Sequence, residues 1–149
     1  MKPIAIGCDP NAIEMKNEIK KLLDENGFEY KDFGSDDPIY ANVAIEVSQE
    51  VASGKFSRGI LICGTGIGVS IAANKVKGSY AALCSNVYAA ERAQLSNNAN
   101  ILALGAFTTG IEVAKAIVLA YLKANYITGT RSEEKVNKIL EYERTNFSN

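Results

Sequence analysis

Cys63 and the glycine-rich loop that follows it are the residues of this 149-residue chain whose types and spacing point most directly to chemistry. In the segment ILICGTGIGVS, residues 60–70, an apolar run ends at Cys63 and three alternate glycines follow, Gly64, Gly66 and Gly68. Glycines let backbone N–H groups approach an anion, and the start of a helix favours the thiolate form of cysteine. The segment therefore predicts either a thiolate base beside a small-anion site or a small buried residue at a tight turn.

Two nucleotide-binding motifs do not fit this loop. A GxGxxG fingerprint would need glycine in place of Val69, and a Walker A loop would need a lysine that the segment lacks. The loop is therefore better suited to a small oxyanion than to a large cofactor.

Three charged residues elsewhere are further candidates for a binding site. Arg131 and Lys135 lie four residues apart at the start of a predicted helix, where they either hold a phosphate dianion together or form a solvated helix start. Asp9 follows the first predicted strand, where its carboxylate either binds a ligand hydroxyl or caps the first helix.

Composition excludes several classes of function. The chain has no histidine, which rules out Ser-His-Asp and Cys-His catalysis and histidine-ligated zinc. A net charge of -1 argues against nucleic-acid binding, and no apolar run is long enough for a membrane span. Three cysteines without a CxxC pair fit free thiols, so a cytoplasmic protein is expected.

Short apolar runs alternate with segments of helical period, which predicts a single α/β domain over residues 1–149: a three-layer, Rossmann-like α/β/α sandwich with a five-stranded parallel sheet. The continuous apolar run GILIC predicts that the third strand is central. The predicted strands are 3–8, 29–33, 58–63, 80–84 and 101–104, and the predicted helices are 12–26, 41–53, 66–75, 87–95, 111–125 and one from 132. That last helix lies beyond a complete five-strand unit, so we expect it to pack on a partner subunit.

The segments ILICGTGIGVSIAANKV, AALC, YAAERAQLSNNAN and LALGA resemble the family of ribose-5-phosphate isomerase B and galactose-6-phosphate isomerase. The resemblance covers nearly the whole chain. It implies the interconversion of phosphorylated aldoses and ketoses through a cis-enediol, without a metal or cofactor. It also implies a homodimer or tetramer whose active sites lie between subunits.

The resemblance also implies roles for particular residues. Cys63 would move the proton between C1 and C2, Thr65 would assist at the sugar oxygens, and the N–H groups of residues 64–68 would stabilise the enediolate charge. The remaining positions match substrate-binding residues, namely Asp9, Tyr40, Ser96 and Asn97, and phosphate-binding residues, namely Arg131 and Lys135.

The sequence departs from the family at four positions. Pro10, Ser85 and Ser96 stand where the family has histidine, and Phe107 stands where it commonly has a phosphate-binding arginine. The histidine at the position of Ser96 opens the sugar ring, and serine is a poor replacement for an imidazole. A tetrose 4-phosphate has no ring to open, because the hydroxyl that would close a furanose carries the phosphate.

The segments YAAERAQLSNNAN, IYAN and TRSEEKV also look closer to the erythrulose-4-phosphate isomerase branch than to the ribose enzymes. The leading hypothesis is therefore an isomerase of D-erythrulose 4-phosphate and D-erythrose 4-phosphate. The alternatives are a ribose-5-phosphate isomerase, a weakly catalytic subunit of a hetero-oligomeric hexose-6-phosphate isomerase, and a phosphate-binding module without chemistry.

Overall fold

A computed structural model describes residues 1–147 and contains the predicted five-stranded sheet, with every neighbouring pair parallel. The strand order is β2-β1-β3-β5-β4, so β3 is central as predicted. The apolar side chains of β3 explain this position, because both faces of the strand are buried. The strands are β1 Ile4–Cys8, β2 Tyr30–Asp32, β3 Arg58–Cys63, β4 Ala81–Leu83 and β5 Ile101–Gly105.

The predicted helices are all present, with small differences at their ends. The first helix was predicted over residues 12–26. In the structure, Pro10–Ala12 form a separate 3-10 turn, and α1 follows it directly. The third helix is shorter than predicted and spans seven residues. The helices are α1 Ile13–Glu25, α2 Tyr40–Ala52, α3 Ile67–Ala73, α4 Val87–Leu95, α5 Ile111–Lys123 and α6 Arg131–Asn146.

The helices cover the two faces of the sheet and bury two separate apolar clusters. Helices α1, α4 and α5 pack on one face, against alternate strand residues such as Ile60 and Ile62. Helices α2 and α3 pack on the other face, against Leu61 and Cys63. Because successive strand side chains point to opposite faces, Cys63 faces α2 and α3 and points away from α4 and α5. The three-layer sandwich is confirmed.

Buried Arg58 fixes the end of α5 from the first position of β3. One terminal nitrogen of its guanidinium donates to the carbonyl of Tyr121 at 2.5 Å, and the other donates to the carbonyl of Ala124 at 2.7 Å. Burial lowers the pKa of Arg58 below its ordinary value. Since the last carbonyls of a helix lack partners within the helix, Arg58 holds the segment that leads from α5 to α6.

Helix α6 makes contacts within its own chain. Val136 is buried, and the Glu143 carboxylate accepts hydrogen bonds from the Gly78 N–H and the Tyr80 hydroxyl. Burial, and then the bond to Glu143, raise the pKa of Tyr80. Ile139 and Tyr142 stay exposed on the same helix, so the expected packing of α6 on a partner stays a prediction. Within residues 1–147, no helix is both long and apolar enough to cross a membrane.

Candidate active site

The Cys63 thiol lies at the carboxyl end of β3 and is 4% exposed. The Gly66 N–H donates a hydrogen bond to Cys63 Sγ, with a nitrogen to sulfur distance of 3.2 Å. A hydrogen bond donated to sulfur stabilises the thiolate more than the neutral thiol. The structure thus places a backbone N–H donor against the Cys63 sulfur, and the role of Cys63 as a base stays a prediction.

The loop after Cys63 is held in place by the neighbouring loop after β5. The carbonyl oxygens of Cys63 and Gly64 accept hydrogen bonds from the N–H groups of Ala106 and Phe107, at 2.9 and 2.8 Å. The Thr65 hydroxyl oxygen accepts a bond from the Ile67 N–H at 3.2 Å, which fixes the threonine side chain at the start of α3. Thr65 and Cys63 therefore sit two residues apart on one constrained turn.

Among the three loop glycines, Gly66 has a backbone conformation that only glycine adopts easily. Its φ is +77°, in the left-handed region that favours glycine. A Cβ added there would also lie 2.8 Å from the carbonyl carbon of Leu104. The close approach of β5 therefore leaves no room for a side chain at this point of the loop.

The other two loop glycines make room for aromatic rings. A Cβ at Gly68 would lie 2.2 Å from the ring of Tyr40, and one at Gly64 would lie 2.9 Å from the ring of Phe107. Tyr40, the first residue of α2, thus lies against the Cys63 loop, and its predicted role in substrate binding stays a prediction. The position of Phe107 against Gly64 was not predicted, because nothing in the local sequence indicates this contact.

Asp9 lies beside the loop and caps the turn before α1. Its N–H donates to the carbonyl of Ile62 at 3.2 Å, which places it next to Cys63 at the same edge of the sheet. The side chain is buried, and its two oxygens accept bonds from the Asn11 N–H and side-chain amide, at 3.0 and 3.2 Å. Capping is therefore observed, while binding of a sugar hydroxyl stays a prediction.

The other two thiols are less suited to proton transfer. Burial raises the pKa of Cys8 to about 11, although the nearby Lys16 opposes the shift. Burial also raises the pKa of Cys84. Both groups therefore stay protonated near neutral pH, and the Gly66 bond to sulfur distinguishes Cys63 from them.

The remaining predicted site residues form a second pocket beside α4 and the start of α6. Its cavity volume is about 530 Å³. Lining residues include Ser96, Asn97, Arg131 and Lys135, so the structure brings these four together, and their roles in binding stay predictions. Arg92 also lines the pocket and was missed, although its spacing of four residues from Ser96 places both on one helix face.

The structure does not bring this second pocket to Cys63 within one chain. Cys63 pairs with Gly105 at the carboxyl edge of the sheet, whereas Asn97 lies just before Ile101, at the amino edge. Strands of five residues separate the two edges by about 15 Å. Cys63 also faces α2 and α3, while α4 packs on the opposite face. Each chain therefore carries two separate groups of predicted site residues that face different directions.

Comparison with known proteins gives a consistent result. Residues 4–139 match the family model described as Ribose/Galactose Isomerase. The chain is 47% identical to the D-erythrulose-4-phosphate isomerase of Pectobacterium atrosepticum, over 96% of each protein. It is 44% identical to the ribose-5-phosphate isomerase B of Escherichia coli, over 97% of this chain and 98% of the relative.

A solved structure agrees with this assignment. The ribose-5-phosphate isomerase B of Clostridium thermocellum superimposes with a TM-score of 0.91 at 43% identity, covering 99% of this chain and all of the other. The three relatives are named as isomerases and match nearly the full length of the chain, and the solved structure also shares its fold. The protein is therefore a sugar-phosphate isomerase and belongs to the ribose/galactose isomerase family.

Proposed function

We propose that the enzyme interconverts D-erythrulose 4-phosphate and D-erythrose 4-phosphate through a cis-enediol. The observation that carries this proposal is Ser96, which lies in the pocket with Arg131 and Lys135 at the position of the ring-opening histidine of the family. A serine hydroxyl does not titrate near neutral pH and cannot exchange protons with a ring oxygen as an imidazole does. A tetrose 4-phosphate makes no such demand, because it cannot form a furanose ring.

Cys63 is the proposed base and then the proposed acid. As a thiolate it takes a proton from C1 of the ketose, and as a thiol it returns a proton to C2 of the enediol. The hydrogen bond from the Gly66 N–H to the Cys63 sulfur supports this assignment. The Thr65 hydroxyl and the loop N–H groups are expected to hold the sugar oxygens on which negative charge develops. Asp9 and Tyr40 border the same loop and are proposed to bind sugar hydroxyls.

The proposed substrate lies between two copies of the chain. The half-site with Cys63 and the half-site with Ser96, Asn97, Arg131 and Lys135 face different directions in one chain. A two-fold dimer can join the Cys63 half-site of one copy to the cationic half-site of the other, and it does so twice. We therefore propose a homodimer, or a tetramer built from two such dimers, in which α6 contributes to the interface. The three free cysteines fit a cytoplasmic location.

A ribose-5-phosphate isomerase is the second candidate, favoured by the 44% identity to the enzyme of E. coli. In this case the protein would act on the small open-chain fraction of its substrate. A weakly catalytic subunit fits less well, because Cys63, Thr65 and the three loop glycines are all retained. The two active candidates differ in the sugar that is turned over, which makes them separable in one experiment.

The experiment is proton NMR in deuterated buffer with D-erythrulose 4-phosphate or D-ribose 5-phosphate as substrate. Aldose formation with deuterium at C2 is expected from the tetrulose. The Cys63→Ala variant should lose at least about a hundredfold in rate, the scale of a general base. Cys84→Ala is the matched control, since it removes a buried thiol outside the site and should keep the activity. Turnover of the pentose alone would contradict the proposal.

A further inference from the structure

The pocket beside α4 contains a third cation in addition to Arg131 and Lys135, the two phosphate-binding residues that the family resemblance implies. Arg92 on α4 lines it together with Arg131 and Lys135 from α6. None of the lining residues is a carboxylate, so the three positive charges are not neutralised within the pocket. Clustered cations without a counter-charge attract a dianion such as a phosphate monoester.

The side chain of Arg92 is held by Ser96, the residue that stands where the family has its ring-opening histidine. Its Nε donates a hydrogen bond to Ser96 Oγ at 2.7 Å, across one turn of α4. Within residues 1–147, the two terminal nitrogens of this guanidinium make no hydrogen bond, and they therefore keep their N–H donors for a ligand. Arginine is suited to this role because its planar fork can donate two parallel bonds to phosphate oxygens.

Serine at position 96 makes this arrangement possible. An imidazole there would fill the space that the small hydroxymethyl group leaves for the Arg92 side chain. The guanidinium consequently lies beside Ser96, at the position from which the family's histidine would act on the sugar ring. A phosphate that is one carbon closer to the reacting carbons needs a cation at such a position.

We propose that Arg92 is a third phosphate-binding residue and that its pairing with Ser96 selects a ketose phosphate one carbon shorter than a pentulose phosphate. This proposal rests on the proposed function, because it concerns the same pocket and the same substrate class. Arg131 and Lys135 bind the phosphate of either sugar, whereas Arg92 reaches only the phosphate of the shorter one.

The test compares two substrates that differ by one carbon and that both lack a ring. D-Erythrulose 4-phosphate and D-ribulose 5-phosphate are both open-chain, so ring opening does not affect the comparison. In Arg92→Gln, KM for the tetrulose should rise by about ten- to a hundredfold, the scale of hydrogen bonds to a charged group, with kcat little changed. KM for the pentulose should change by less than about threefold. Equal increases for the two sugars would overturn the selectivity.

A second readout does not depend on turnover. Inorganic phosphate, measured by calorimetry, should bind about tenfold more weakly to Arg92→Gln than to the wild type. Arg92→Lys keeps the charge without the fork and should fall between them. Lys21→Gln is the charge-matched control on α1 and should leave phosphate affinity unchanged. Equal phosphate affinity in wild type and both Arg92 variants would overturn the binding role.

The two readouts separate this inference from the proposed function. A wild type that turns over only the pentulose would refute the tetrose assignment and, with it, the selectivity assigned to Arg92. The phosphate measurement would still decide whether Arg92 binds phosphate. Turnover of the tetrulose with unchanged KM in Arg92→Gln would leave the function standing and refute the inference alone.

Discussion

Replacing Gly66 by alanine tests whether the Cys63 loop is held as tightly as the structure shows. The substitution puts a Cβ on a residue with φ of +77°, which costs about 1–2 kcal/mol for an L-residue. The same Cβ would lie 2.6 Å from Leu83 Cδ1 and 2.8 Å from the carbonyl carbon of Leu104. The Leu83 side chain can move, but the β5 backbone cannot, so overpacking adds about 1–3 kcal/mol. Gly66→Ala should therefore lower the free energy of unfolding by about 2–5 kcal/mol.

Gly27→Ala is the matched control. Gly27 has a similar φ of +74°, but a Cβ there would have no heavy atom within 4 Å. It should lose only the backbone contribution of about 1–2 kcal/mol in urea unfolding at equal protein concentration. Its kcat should be unchanged, whereas that of Gly66→Ala should fall, because the Gly66 N–H that contacts Cys63 sulfur shifts. Equal losses of stability in the two variants would refute the steric argument.

Three further substitutions test other parts of the structure. Burial alone would raise the pKa of Asp32, but hydrogen bonds from two lysine ammonium groups and a backbone N–H lower it to about 2. Asp32→Asn should therefore be less stable than wild type at pH 7, and the difference should shrink as the pH falls from 3.8 towards 2; a constant difference would contradict this. Arg58→Met leaves buried carbonyls unpaired and should cost about 2–4 kcal/mol in urea unfolding, and no measurable loss would contradict this. Gly64→Ala presses on the exposed ring of Phe107 and should cost less than about 1 kcal/mol. Adding Phe107→Ala should remove that cost, and an unrelieved loss would place the strain elsewhere.

The sequence predicts those parts of the fold that depend on local patterns. The continuous apolar run of β3 indicated a central strand, and the glycines after Cys63 indicated a constrained turn. The edge strands β2 and β4 are shorter than predicted, because their ends lack a second neighbouring strand to continue the ladder. The local sequence pattern thus predicts which helices and strands form, but it predicts the ends of the edge strands less accurately.

Contacts between distant segments could not be predicted in the same way. The spacing of Arg92 and Ser96 shows that they share a helix face, but not that α6 brings Arg131 and Lys135 to the same pocket. The contact of Phe107 with Gly64 likewise depends on how the loops after β3 and β5 meet. Such contacts follow from the tertiary arrangement, which no local period encodes.

Complementation between two inactive variants tests most directly the claim that one active site combines half-sites from two chains. One variant is Cys63→Ala, and the other combines Arg131→Gln with Lys135→Gln. The account predicts that each is nearly inactive alone and that refolding them together in equal amounts restores about a quarter of wild-type activity. Half of the dimers would then be mixed, with one of two sites intact. Activity of the mixture no greater than the average of the separate variants, with mixed oligomers verified by two affinity tags, would contradict the account.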